Sequence, residues 1–284
     1  MMDELETRFR EAAPPGADFV SLRYLDERTE SLGVRDGVLE PAMSSSDVGA
    51  MITVMDRGGI GYAATSDLGV AGLREAGRRA LAWARKSAGR AVTDFSRLPH
   101  AASSGEYRTP VAKPWASVGL QDKIDRLRAP CEQLLADDRI VDSWARMEHI
   151  DAETLYLDTA GSRVHQVFEM LLPNMGAVAR QGTEAQRRTL HGQGAARQGG
   201  LEILDDLAFE DAAPRLAREA LELLTAPDCP TLTTDVLLAP DQMILQIHES
   251  IGHPLELDRI LGDERNYAGT SFVTPDMFGT YRYG

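Results

Sequence analysis

The stretch from Asp18 to Ser66, "DFVSLRYLDERTESLGVRDGVLEPAMSSSDVGAMITVMDRGGIGYAATS", alternates apolar and polar residues in short segments and is cut at Asp36-Gly37 and Gly58-Gly59. Alternation places successive side chains on opposite faces of a strand, and Asp-Gly or Gly-Gly pairs tolerate the positive φ values of tight hairpin turns. A chain that opens this way is committed to an antiparallel sheet. Residues 3–12 precede it as a short helix stopped before Pro14 and Pro15. After it, Ser66 or Asp67 can cap a helix that carries Leu73, Ala76, Ala80 and Ala84 on one face and covers the sheet.

A turn-rich link, "FSRLPHAASSGEYRTPVAKPW", separates that unit from the next. The same order then returns: a helix near 121–136, strand-like segments "RIVDSWARMEHID", "TLYLDTAGSRVHQVFEML" and "NMGAVARQG", and a helix near 211–225. Ala160-Gly161 takes the place of Asp36-Gly37. The expectation is an α+β N-terminal domain over residues 1–228, with a two-fold internal repeat of units 1–105 and 118–228. "APDCPT" makes a third break, and residues 231–284 begin a further domain. There "LTTDVLLAP" has the pattern of a strand, Pro240 suits the first position of a helix, and Asp241 favours the positive end of its dipole.

The chain has 284 residues, 43% of them hydrophobic and 26% charged, as in an ordinary globular protein. Its formal charge of -14 argues against nucleic acid, because phosphate contacts need clustered Lys and Arg. Cys131 and Cys229 lie far apart without CxxC spacing, which suggests neither a disulfide framework nor a cysteine-only zinc site and fits a reducing cytoplasm. The first residues lack the apolar stretch of a signal peptide, and no run reaches the apolar length that spans a bilayer.

The chemistry concentrates in "HESIGHP", His248 to Pro254. Histidines at i and i+4 of a helix lie about 40° apart around its axis and reach one ion, whereas at i and i+5 a regular helix separates them by about 140°. A shared metal therefore requires a distorted helix. Pro254 offers no N–H to the carbonyl of Ser250, His253 as a pre-proline residue is pushed from the α region, and Gly252 permits an unusual backbone. An inserted residue of the π-bulge kind brings i and i+5 into line. Neutral imidazoles of His248 and His253 would then hold Zn²⁺ at about 2.0–2.1 Å, with positions left for a third ligand and a water. Glu249 would take the water's proton and hand it to the leaving amine.

"HESIGHPLELDRILGDERNYAGTSF" closely resembles the signature of the TldD/PmbA family of metallopeptidases, in its catalytic TldD-type member, and "GGIGYAATSDLGVAGLREAGRRAL" resembles the family's strand-then-helix unit. The resemblance implies an α+β N-terminal domain and a β-rich, metal-bearing C-terminal domain. It implies zinc-dependent hydrolysis of unfolded or small peptides, and a dimer with a PmbA-like partner subunit or with itself. His248 and His253 map onto the metal ligands and Glu249 onto the general base. The family's third ligand is a late cysteine with no match here, so it is expected downstream of Gly284, and the chain is expected to end before the C-terminal domain is complete and to be inactive alone.

Other features point elsewhere. "HGQGAARQGG" has Arg197 where GxGxxG needs its third glycine, which favours a loop over a phosphate site. His149 and His165 fall in strand-like segments as packing or surface residues, and the cysteines as structural thiols. Glu256 and Glu264 could complete a His-His-Glu set, but "PLELDRILG" suits a short helix that displays them on its surface. Tyr267 is available to substrate. The rival to a peptidase is a non-catalytic assembly or peptide-binding module whose motif holds no metal.

Overall fold

The computed structural model describes residues 2–90, 93–190 and 195–282. Residues 191–194 of the glycine-rich run, and the side chain of Asp241 on which the dipole argument rests, lie outside the described residues. The first unit comprises α1 (Met2–Ala12), β1 (Phe19–Arg35), β2 (Val38–Leu39), β3 (Met43–Asp56), β4 (Gly59–Thr65) and α2 (Val70–Ser87). Alternation sets its packing: Val20, Leu22, Tyr24, Leu32 and Val34 of β1 are buried, with Arg23 between them exposed.

Both hairpin turns carry paired positive φ values, 49° and 76° at Asp36-Gly37 and 56° and 78° at Arg57-Gly58, the pattern of a type I′ turn. The second turn thus falls one residue before the expected Gly58-Gly59 and leaves Gly59 in the strand. Its glycine is needed there for another reason. A Cβ at Gly59 would stand 2.1 Å from the Ala84 carbonyl oxygen, and one at Gly61 2.3 Å from that of Ala80. The two glycines let α2 lie directly on β4, with Leu73, Ala76, Ala80 and Ala84 buried beneath it. Gly69, rather than Ser66 or Asp67, occupies the cap; Asp67 instead accepts the Gly69 N–H at 2.9 Å in the turn before the helix.

The second unit adds β5 (Ser104–Arg108), α3 (Leu120–Leu134), β6 (Ile140–Asp158), β7 (Arg163–Gln181), β8 (Glu184–Thr189), β9 (Arg197–Gln198), α4 (Glu202–Asp206) and α5 (Ala213–Leu223). Over residues 139–182 the three strand-like segments merge into two strands, since β6 and β7 each run unbroken for 19 residues, while β5, β8 and β9 lie outside those segments, β5 in what the sequence marked as a turn-rich link. Pro173 does not interrupt β7. On one side it faces Met147 of β6, and on the other it falls between the stretches paired to β9 and to β8, where no ladder bond is lost.

All nine strands form one sheet in the order β4-β3-β1-β6-β7-β5, with β2 beside β1 and β8 and β9 beside β7. Pairing is antiparallel except for β5 with β7. The seam between the units is the β1–β6 ladder, which runs from Ser21↔Asp158 to Arg35↔Trp144. Helices cover two apolar areas: α1 and α2 lie over Leu22, Ile52 and Leu155, and α3 and α5 over Val34, Met147 and Met175. The order of helix, two long strands, short strand and helix occurs in both units.

Beyond residue 226 come α6 (Pro240–Ile247), a π-helical turn (His248–Gly252), a 3₁₀ turn (His253–Leu255) and α7 (Leu257–Leu261), with no strand among the described residues. The strand expected at "LTTDVLLAP" is absent, because a strand exists only through a ladder partner and none is paired to these residues. Leu237 is 98% exposed. A hydrogen bond from Thr93 Oγ1 to Asp263 ties this segment to the link after α2. Among the described residues, no helix is long and apolar enough to cross a membrane.

Candidate metal centre

Pro240 opens α6 as expected. Seven residues on, the ladder changes step: the His253 N–H donates to the His248 carbonyl, five residues back. One extra residue is thereby accommodated in one turn, and His248 and His253 come to face each other. Their Nε2 atoms lie 2.6 Å apart, with the rings nearly perpendicular at 84°. The backbone stays right-handed throughout, at φ -58°, ψ -69° for Gly252 and φ -59°, ψ -42° for His253. The expectation that pre-proline His253 leaves the α region is therefore corrected, because the wider turn relieves the crowding without a change of basin. Gly252 needs no glycine-only dihedral, and a Cβ there would meet only the Ile247 carbonyl oxygen at an ordinary 3.7 Å.

Glu249 joins the pair: one ligand atom from each of His248, Glu249 and His253 lies within 4.8 Å of the others. His248 and Glu249 are exposed and His253 is half-buried. Two facing imidazoles are nitrogen donors that suit a divalent ion of the zinc type, with the Glu249 carboxylate close enough to reach a water beside it. Nitrogen ligands at about 2.0–2.1 Å from a tetrahedral ion stand roughly 3.3 Å apart, so the rings would have to part by well under 1 Å. The residues present fit a metal. Among the described residues, Glu256, Glu264, Cys131 and Cys229 do not join the group.

A supporting layer surrounds the histidines. Glu256 Oε1 lies 2.9 Å from His253 Nδ1, and the Arg259 guanidinium sits against Oε2 of the same carboxylate at 2.5 Å. The His253 contact, followed by the Arg259 charge, holds the Glu256 carboxyl below its ordinary pKa. Ser271, from the "NYAGTSF" run, donates to the Pro254 carbonyl at 2.6 Å and accepts the Val273 N–H, which folds that run back over the turn. Gln246 Nε2 donates to Ser250 Oγ at 2.6 Å across one turn. Sequence reasoning left Glu256 on a helix surface and did not consider Arg259 or Ser271 at all. The i, i+3 steps His253–Glu256–Arg259 were the available signal for two of them.

The remaining candidates lie elsewhere. His149 stacks on Trp115 with ring centroids 4.9 Å apart and pairs with Glu169 at 3.1 Å; His165 pairs with Glu153 at 2.7 Å. Both belong to the sheet. Cys131 is buried beside Ser143, Cys229 is exposed, and Tyr267 is 92% exposed.

Two family profiles match the chain, "PmbA/TldA metallopeptidase domain 1" over residues 20–84 and "PmbA/TldA metallopeptidase central domain" over residues 113–226, together more than half of it. A protein of Methanothermobacter thermautotrophicus named a metalloprotease is 24% identical over 279 residues, covering 94% of this chain and 59% of that protein. A metalloprotease of Methanocaldococcus jannaschii is 21% identical over 283 residues, covering 94% of this chain and 61% of that protein. The chain thus spans about 60% of the length of these curated relatives. Among solved structures, a Thermotoga maritima protein described as a candidate modulator of a DNA gyrase superposes with a TM-score of 0.61 at 19% identity, over 81% of this chain and 50% of that one. That likeness is one of fold.

Proposed function

This chain belongs to the PmbA/TldD metallopeptidase family, and from that premise we propose that it carries two metal ligands and the general base of a zinc-dependent peptidase acting on unfolded or small peptides. The observation that carries the reading is the convergence of His248 and His253 across a five-residue spacing, with Glu249 beside them. Pro254 ends the regular ladder but does not by itself dictate a π-turn, and such turns are frequent at functional sites. In this reading residues 1–228 form the N-terminal domain and residues 231–284 the start of the metal-bearing one.

The ion, when bound, supplies Lewis acidity toward a peptide carbonyl and the attacking water. The side chains do the rest. His248 and His253 present neutral Nε2 lone pairs, and the π-turn fixes their angle. Glu249 accepts the proton of the attacking water and returns it to the departing amine, so that the carboxylate is restored at the end of the cycle. Its exposure suits a base that must meet a peptide rather than a buried structural carboxylate. The proposed setting is the cytoplasm, and the proposed assembly is a dimer with a PmbA-like subunit or with a second copy.

A non-catalytic assembly module is the second reading. It is favoured by the apolar surface of α6 and the π-turn, where Ile244, Ile247 and Ile251 are 62%, 48% and 44% exposed. Zinc titration of the chain separates the two. Binding that weakens tenfold or more in both His248→Ala and His253→Ala supports the metal centre, and equal binding in wild type and both variants removes it.

A further inference from the structure

We infer that Glu256 is the positioning residue of the metal centre: it fixes His253 in the tautomer that leaves Nε2 free for an ion, and Arg259 holds Glu256 in place. The inference rests on the metallopeptidase reading only for what the ion is. The tautomer itself is a property of the side chains.

His253 has two ring nitrogens with different surroundings. Nε2 faces His248 Nε2 at 2.6 Å, and Nδ1 faces Glu256 Oε1 at 2.9 Å. An ionised carboxylate can only accept, so in a neutral imidazole the proton sits on Nδ1 and the lone pair on Nε2. That lone pair is the one aimed into the gap between the histidines. Arg259 Nε lies 2.5 Å from its other oxygen as an ion pair, and that charge favours the orientation in which Oε1 faces the ring. The Arg259 side chain is only 20% exposed, against 41% for Glu256, so the cation is set behind the carboxylate rather than waving in solvent.

The local backbone explains how three residues in a row of i, i+3 steps achieve this. The 3₁₀ turn His253–Leu255 carries Glu256 round to the Nδ1 side of the ring, and Glu256 then caps α7, its carbonyl accepting the Ile260 N–H at 3.0 Å. Arg259 projects from that helix one turn on. A metal-ligating histidine that donates its second N–H to a carboxylate is held in orientation and made a stronger donor, and losing such a partner typically costs about 10–100-fold in metal affinity. His248 has no comparable partner among the hydrogen bonds of the described residues. The site is thus asymmetric: His253 is oriented by a carboxylate on its far nitrogen, and His248 only by its contact with His253.

Two-bond ¹H–¹⁵N correlation of the histidine rings in the zinc-free 284-residue chain, held above the range where imidazoles are charged, tests this directly. In the wild type His253 should carry its proton on Nδ1. Glu256→Gln keeps an acceptor oxygen and should preserve that tautomer, whereas Glu256→Ala should shift His253 toward the Nε2–H form. Cobalt(II) and zinc titrations of the same proteins should show affinity lowered about 10–100-fold in Glu256→Ala and within a few-fold of wild type in Glu256→Gln. A merely structural role would change both variants alike or neither. An Nε2–H tautomer at wild-type His253, or an unchanged tautomer in Glu256→Ala, overturns the inference. Zinc binding that is indifferent to His248→Ala and His253→Ala instead removes the metallopeptidase reading, while the tautomer measurement still decides the role of Glu256.

Discussion

The Nε2 atoms of His248 and His253 lie 2.6 Å apart although five positions separate the residues, and a single π-helical turn brings them together. In a regular helix the same side chains would point about 140° apart. Pro254 helps to keep the turn open, because it offers no N–H to the Ser250 carbonyl with which an α-helix would continue. Pro254→Ala supplies that donor and lets the regular helix compete. Cobalt(II) affinity of the variant should fall by about tenfold, on the scale of losing an orienting partner; unchanged affinity would mean that the turn holds itself.

Glu249→Gln should separate binding from chemistry. The amide preserves the size of the side chain but cannot take a proton, so zinc affinity should stay within a few-fold of wild type. Hydrolysis of an unstructured peptide, measured in a polypeptide that carries these residues at the curated relatives' full length, should fall by about 10²–10⁴. Full activity in that variant would take Glu249 out of the proton path.

Gly61 should tolerate no side chain. A Cβ there would sit 2.3 Å from the Ala80 carbonyl and 2.4 Å from the Ala84 amide nitrogen, so Gly61→Ala must push α2 away from β4. The expected loss is about 1–3 kcal/mol by urea unfolding. Gly105→Ala in β5, where a Cβ meets nothing within 4 Å, is the matched control and should leave stability unchanged or raise it slightly. Equal effects at the two positions would show that the contact is not what makes Gly61 a glycine.

Acid should release one particular clasp. The Glu202 carboxylate accepts the backbone N–H groups of Ala112, Lys113 and Gly200 at 3.2, 2.8 and 2.9 Å, tying the segment before α3 to α4. Burial alone would raise its pKa, but these bonds outweigh burial and the folded value lies below the ordinary glutamate value. A depressed folded pKa means stability that is present above the unfolded pKa and lost as pH falls through the folded one. Glu202→Gln should therefore be less stable than wild type at pH 7, and the gap should close below about pH 4. A gap constant from pH 7 to pH 3 would assign the effect to something other than the carboxylate charge.

Replacing Ile244 and Ile251 by Glu should reduce association of the chain, since both lie on the exposed apolar side of α6 and the π-turn. Sedimentation velocity over a range of concentrations reads the result, and an unchanged distribution of species would mean that another surface drives association.

Much of the sheet was legible because alternation and turn pairs are local signals: Asp36-Gly37, Ala160-Gly161 and the stripe Leu73, Ala76, Ala80 and Ala84 all fall as the pattern requires. The lengths of β6 and β7 were not, because whether Pro173 breaks a strand depends on which neighbour lies opposite it. Likewise the pairs His149–Glu169 and His165–Glu153 are diagonal, two residues off register across β6 and β7, and follow only once the register is known. At the metal centre the five-residue spacing already demanded a bulged helix. What it did not disclose was the ordinary right-handed backbone at Gly252 and His253, or the carboxylate behind the ring.

The ladder between β1 and β6 also sets the order in which the molecule can assemble. β1, β3 and β4 pair across short turns, and so do β6, β7 and β8, but Ser21 finds Asp158 only across the whole of the first unit and the link. Each meander closes only short loops, whereas the seam must close a large loop of chain, the kind of long-range pairing that slows folding. On the ribosome, a chain that has not yet released residue 158 presents the inner edge of β1 with its amides and carbonyls unsatisfied. During synthesis that edge, like the outer edge of β4, is open to strand addition by a second nascent chain.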